Sequence, residues 1–135
     1  MKIQIMILVL ILSGALALAG TDLRGGIRGG GLSLGIDSAS NQPRNWALGY
    51  GASLQSNDKP VGVFLSFSNP LRTQGAPAYV SIGPVAYFGN SSSAIGAFLD
   101  LGWVGIFEVS NLRLETGIEV RNDRSGINIE LLYQL

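Results

Sequence analysis

The residues SGINIELLYQL (125–135) place Ile127, Ile129, Leu131, Tyr133 and Leu135 at every second position, with Asn128, Glu130, Leu132 and Gln134 between them. A period of two is that of a β-strand, whose successive side chains point to opposite faces. The same alternation recurs along almost the whole chain. Past the first nineteen residues, no stretch repeats at the 3.6-residue period of an amphipathic helix. An all-β fold is expected, and its character depends on which strand face meets water.

Seven strands are readable, at 23–38, 45–56, 60–68, 78–89, 94–109, 111–121 and 126–135. Clusters rich in Asn, Asp, Ser, Gly and Pro separate them, residue types that tolerate turn dihedrals or bond their own backbone. Sorting the strands by face gives two surfaces. One is uncharged and includes Leu48, Val63, Phe67, Ile82, Leu99, Trp103, Phe107 and Ile118. The other carries every charged strand residue from position 45 onward, namely Asp100, Glu108, Arg113, Glu115, Glu119, Arg121 and Glu130, among many Gly, Ala and Ser and the aromatics Phe64, Tyr79, Tyr87 and Phe98.

A soluble sandwich or barrel would bury the uncharged set, but the remaining face is too poor in Lys, Glu, Thr and Arg to make a good solvent surface. The inverse arrangement fits better, with apolar side chains toward lipid and small or charged ones in a narrow lumen. A closed barrel also satisfies every backbone donor and acceptor within a bilayer, as an open sheet cannot. The seven charged residues are then expected to form an ion-pair ladder filling the lumen, because an isolated buried charge costs several kcal/mol. The same residues could instead form a constriction that selects small polar solutes.

Residues 1–19 read as a secretory signal, with Lys2 before the apolar run Ile5–Leu12 and Ala17-Leu18-Ala19 as a small-residue cleavage site. Residues 20–135 are then one domain. The chain has no cysteine, so neither disulfides nor an acylated-cysteine anchor can hold it. Without Lys2, eight basic residues face nine acidic ones and Lys59 is the sole lysine, a balance with no electrostatic footprint for nucleic acid.

No histidine is present, which excludes a Ser-His-Asp arrangement. Without Cys or His only an all-oxygen metal site is open, and NDRSG (122–126) lacks the spaced carboxylates of a calcium loop. LRGGIRGGG (23–31) is glycine-rich, but no Gly-Lys-Ser/Thr follows and no helix lends its N-terminus to a phosphate; its glycines are expected to let the first strand lie close to its neighbours, with Arg24 and Arg28 adding to the polar interior. The expectation is a non-enzymatic chain with no metal and no cofactor.

The signal-like start, the strands over the whole mature chain and Tyr133 two places before the final residue together resemble the small outer-membrane β-barrel proteins of Gram-negative bacteria. That resemblance implies an antiparallel up-and-down β-barrel of about eight strands in the cell outer membrane, in contact with its lipid. It also implies delivery by the barrel assembly machinery, which reads the last strand. In that family the strand usually finishes on Phe, where this chain has Leu135.

An even strand number requires one more strand than the seven readable. Either 94–109 hides a turn near Asp100–Gly102, or the glycine-rich first segment folds back on itself. Pro84 falls mid-strand and calls for a bulge or a locally unpaired edge. The longer connections, 39–45 and 69–77, are expected to face the exterior and to carry any surface ligand. Three readings remain: a structural or surface-interaction barrel, a soluble β-domain that binds an apolar ligand between its faces, and a narrow porin-like channel.

Overall fold

The computed structural model describes residues 21–38, 47–71 and 77–135. The expected signal segment 1–19, the connection 39–45, Trp46 and the central part of 69–77 lie outside the described residues. Eight antiparallel strands close into a barrel, each bonded to its neighbours in sequence and the first to the last. They are β1 (Thr21–Arg28), β2 (Gly31–Ser38), β3 (Ala47–Gln55), β4 (Val61–Leu71), β5 (Ala78–Phe88), β6 (Ser93–Val104), β7 (Leu112–Arg121) and β8 (Ser125–Gln134).

The eighth strand comes from the glycine-rich segment. Gly29 and Gly30 have φ of 55° and 81°, and a two-residue hairpin turn of type I′ needs positive φ at both central positions. Arg28 pairs with Gly31 directly across this turn. The segment expected over 94–109 does not reverse near Asp100: β6 runs unbroken through Asp100–Gly102 and stops at Val104, and residues 105–109 belong to the connection to β7. Leu65 and Ser66 lack ladder partners opposite Gly83 and Pro84, although the register is the same on either side. The missing N–H of Pro84 is therefore accommodated by a gap in the ladder, with no bulge, and the far edge of Pro84 pairs with Ala97.

The additional hairpin reverses every later strand relative to the seven-strand reading. Ser38, Ala47, Leu71 and Ala78, which flank the two longer connections, lie at the mouth where β1 begins and β8 ends. This is the loop mouth. The opposite mouth is made only of short turns, at 29–30, 56–60, 89–92 and 122–124.

Each strand buries one face and exposes the other. Leu34, Leu48, Leu99, Leu101, Ile118, Ile129 and Leu131 stand exposed on the outer wall, whereas Arg24, Arg28, Asp100, Glu115, Glu119 and Glu130 are buried inside. Strands of 8 to 12 residues at a rise of ~3.3 Å and a tilt of ~40° give a wall roughly 20–30 Å tall, the height of an outer-membrane barrel's apolar band. Ile36, Ala52 and Val61 belong to the outer face but are covered, and Ala52 and Val61 form a small cluster with Val63 against them.

Between β6 and β7 the chain makes a short 3-10 turn, Ile106–Glu108. Three residues there are left-handed: Gly105 (φ 72°), Phe107 (52°) and Glu108 (61°). For the two non-glycine residues this costs of order 1–3 kcal/mol each. No residue of the turn is buried.

Candidate functional site

The lumen concentrates the chain's chemistry, and its two halves differ. Strands β4, β5 and β6 send in Phe64, Tyr79, Tyr87 and Phe98, with the Phe64 and Phe98 rings edge-to-face at 6.0 Å. Glycine makes room for them: a Cβ at Gly62 would stand 2.7 Å from the Tyr87 ring. Strands β1, β2, β7 and β8 send in Asp22, Arg24, Arg28, Asp37, Glu115, Glu119, Arg121 and Glu130.

The guanidiniums lie between the two halves. Arg24 donates to Asp37 at 3.0 Å, to Glu115 at 2.9 Å and to Glu130, while standing 4.7 Å over the Phe64 ring. Arg28 donates to Glu130 at 2.9 Å, lies 3.3 Å from Glu119 and 3.8 Å from Asp100, and stacks on both Phe64 and Phe98. Arg121 stands over Tyr87 at 4.5 Å, and Arg113 over Tyr79 at 5.5 Å. Each cation thus meets carboxylates on one side and a π-face on the other, two attractions that strengthen when water is excluded.

Neutral donors complete the lattice. Tyr79 Oη donates to Glu115 at 2.6 Å, Asn128 Nδ2 to Asp100 at 2.9 Å, and Gly29 N–H to Asn128 Oδ1 at 2.9 Å. Glu115 and Glu130 are direct cross-strand partners, a like-charge pairing that is destabilising by itself. The Arg24 Nη2 group reaches both and offsets the repulsion.

Of the residues expected in the lumen network, Asp100, Glu115, Glu119, Arg121 and Glu130 are buried there. Arg113 lies at the loop mouth, paired with Asp22. Glu108 does not join them. It is exposed in the loop after β6, because that strand ends four residues earlier and the alternation no longer governs its direction.

The four residues that complete the lattice come from the first hairpin: Asp22, Arg24, Arg28 and Asp37. Read as one strand, 23–38 puts Arg24 and Arg28 on the face opposite Asp37. The two-residue turn shifts the parity, so that even positions of β1 and odd positions of β2 both point inward. The adjacent glycines Gly29 and Gly30 were the available signal.

The two mouths are closed differently. At the turn mouth, Lys59 lies 2.9 Å from Asp58 and 3.1 Å from Asp123, and Arg124 lies 2.6 Å from Asp58. These pairs join the β3–β4 turn to the β7–β8 turn, which are opposite each other around an eight-stranded barrel, so the cluster spans the opening. Arg121 anchors it from below at 3.0 Å from Asp123. The hydrogen bond from Lys59, followed by that from Arg124, holds the Asp58 carboxyl below its ordinary range. Burial pushes Asp123 up, but Lys59 and Arg121 outweigh it and leave the carboxyl low. Lys59 is raised in turn by its bonds to Asp58 and Asp123.

At the loop mouth, Arg24, Asp37, Ser66, Tyr79, Arg113 and Glu115 line a cavity of about 20 Å³, room for a single water. Among the described residues no group of three or more ligating side chains is placed to hold a metal ion.

The fold and this site define a class: a closed eight-stranded antiparallel barrel with a lumen packed by ion pairs and aromatic rings, and an uncharged outer wall. Comparison with protein-family models, with curated proteins and with solved structures gives no match.

Proposed function

We propose that the chain is a small outer-membrane β-barrel with a structural or surface-interaction role, its lumen a packed core and not a conduit. One observation carries this reading: the charged residues of the described strands turn into the lumen, and large apolar ones stand exposed around the whole circumference. A water-soluble protein rarely exposes a contiguous apolar patch beyond a few hundred Å², and this wall is a band around the entire barrel. In a bilayer the same wall is matched to its surroundings. The filled lumen and the ion pairs across the turn mouth favour a structural role over conduction, since an eight-stranded interior is just wide enough for its own side chains.

The turn mouth is the end best suited to cross the bilayer during insertion. Its turns are short and its charges are paired with one another, whereas the loop mouth carries the longer connections and both terminal strand ends. The short turns would therefore face outward. A ligand contacting connections 39–45 or 69–77 would meet them on the periplasmic side, opposite to the placement expected from their length.

Membrane fractionation with gel migration before and after boiling tests the reading. The folded chain is expected with the outer membrane and with heat-modifiable mobility. A mature chain that is monodisperse in buffer without detergent would overturn it. Planar-bilayer recordings are expected to show no steady conductance.

A further inference from the structure

The loop between β6 and β7 combines order, backbone strain and exposure. Gly105 N–H bonds Leu112 O at 2.9 Å, Val109 N–H bonds Ile106 O, Leu112 N–H bonds Val109 O, and Gln134 N–H from β8 bonds Asn111 O. The backbone is therefore pinned at several points. Two consecutive non-glycine residues, Phe107 and Glu108, nevertheless adopt left-handed dihedrals. The result is Phe107 standing 82 % exposed, with Val109 beside it 42 % exposed. Strain of this kind persists where the surroundings over-determine it, and none of the residues in the turn is buried.

The wall beneath indicates what Phe107 meets. Trp103 pairs with Leu114 across β6–β7, Leu114 with Leu131 across β7–β8, and Leu112 with Tyr133. These five side chains belong to the outward face of three adjacent strands and form one apolar patch that ends at the loop, with an aromatic residue at either side. Phe107 and Val109, both exposed, lie in the segment between Val104 and Leu112, the strand ends that border that patch. Glu108, Ser110 and Asn111 supply a polar tip, with Ser110 Oγ donating to Asn111.

We propose that the 105–111 loop is an interfacial foot: Phe107 and Val109 insert at the boundary between acyl chains and headgroups at the loop mouth, and fix the depth at which the barrel rides. This rests on the membrane reading above, and its occupant is lipid. Aromatic side chains favour that zone, and pinning the loop beforehand lowers the entropic cost of inserting it.

The test replaces Trp46 and Trp103 with Phe and introduces a single tryptophan by Phe107→Trp or, as a mid-wall control, Leu99→Trp. Each protein is reconstituted in phosphatidylcholine vesicles brominated either near the headgroup or near the chain end. Phe107→Trp is expected to lose more fluorescence to the shallow bromine and Leu99→Trp more to the deep one. If Leu99→Trp is quenched while Phe107→Trp is quenched by neither lipid, the foot is wrong and the membrane reading stands. If neither protein is quenched, both fall. Should Phe107→Trp not fold, Val109→Trp carries the same comparison.

Discussion

The inner and outer walls of this barrel are made by the same eight strands, yet they are stabilised in opposite ways. Inside, Arg24 reaches Asp37, Glu115 and Glu130 together, with Arg28 sharing Glu130 and Tyr79 sharing Glu115. Outside, Leu99 and Ile118 face each other across β6–β7 but make no directional bond, and both depend on the medium around them. The inner wall is therefore specified residue by residue, and the outer wall only by kind. Each substitution below probes one wall or one end of the barrel.

The largest effect is expected from Arg24→Met, which keeps the side chain's length, takes from buried Asp37 the cation it pairs with, and leaves Glu115 only Tyr79 and Glu130 only Arg28 as partners. Loss of one partner of a buried pair costs ~3–5 kcal/mol, so this variant should fail to show heat-modifiable mobility, or lose it at much lower urea. Wild-type resistance would mean that the lattice is not what holds the lumen. On the outer wall, Ile118→Arg should cost ~2–4 kcal/mol if the wall faces the bilayer midplane. An unchanged urea midpoint in vesicles would place Ile118 in water.

A smaller effect is expected at the turn mouth, and it depends on pH. Asp58 and Asp123 sit below their unfolded values, so what they add is present above a pH of ~3.9 and is lost as pH falls through their lower folded values. Lys59 sits above its unfolded value, so its contribution is full below ~10.4 and is lost as pH rises through the raised one. Protease cleavage in 56–60 should therefore increase toward both extremes and stay flat between them, and added salt should narrow the flat region. Ser91→Cys, in an exposed turn of the turn mouth, and Glu108→Cys should leave stability unchanged. An impermeant maleimide on intact cells should label the first and spare the second, and the reverse result would invert the barrel.

The alternation along β3 to β8 made the class of fold and the sorting of the two faces legible, because period-two patterning leaves each residue no choice of side. For that reason the aromatics Phe64 and Phe98 fall on the same face as the charges in the sequence pattern. Two things are legible only in part. The glycine-rich first segment is one of two places where the sequence allows the extra reversal, but it gives no break in composition to choose it over Asp100–Gly102, so Asp22 and Asp37 are not assigned to the lumen. Glu108 was misplaced because periodicity carries no mark of where a ladder stops. Val104 is the last paired residue of β6, and the left-handed Gly105 that follows looks in the sequence like any other glycine on that strand.

The seam between β1 and β8 has a further consequence, for time and not for position. It joins Arg24 to Leu132 and Ile27 to Ile129, residues from opposite ends of the chain, so it is the natural last event in assembly. The clamp on Glu130 forms across that seam, so before the edges meet Arg24 has Asp37 of its own hairpin within reach but not Glu130. Once they meet, reopening means separating desolvated ions before any water can reach them. Such a barrel would close slowly and then open more slowly still, persisting by its rate of escape rather than by its depth of equilibrium.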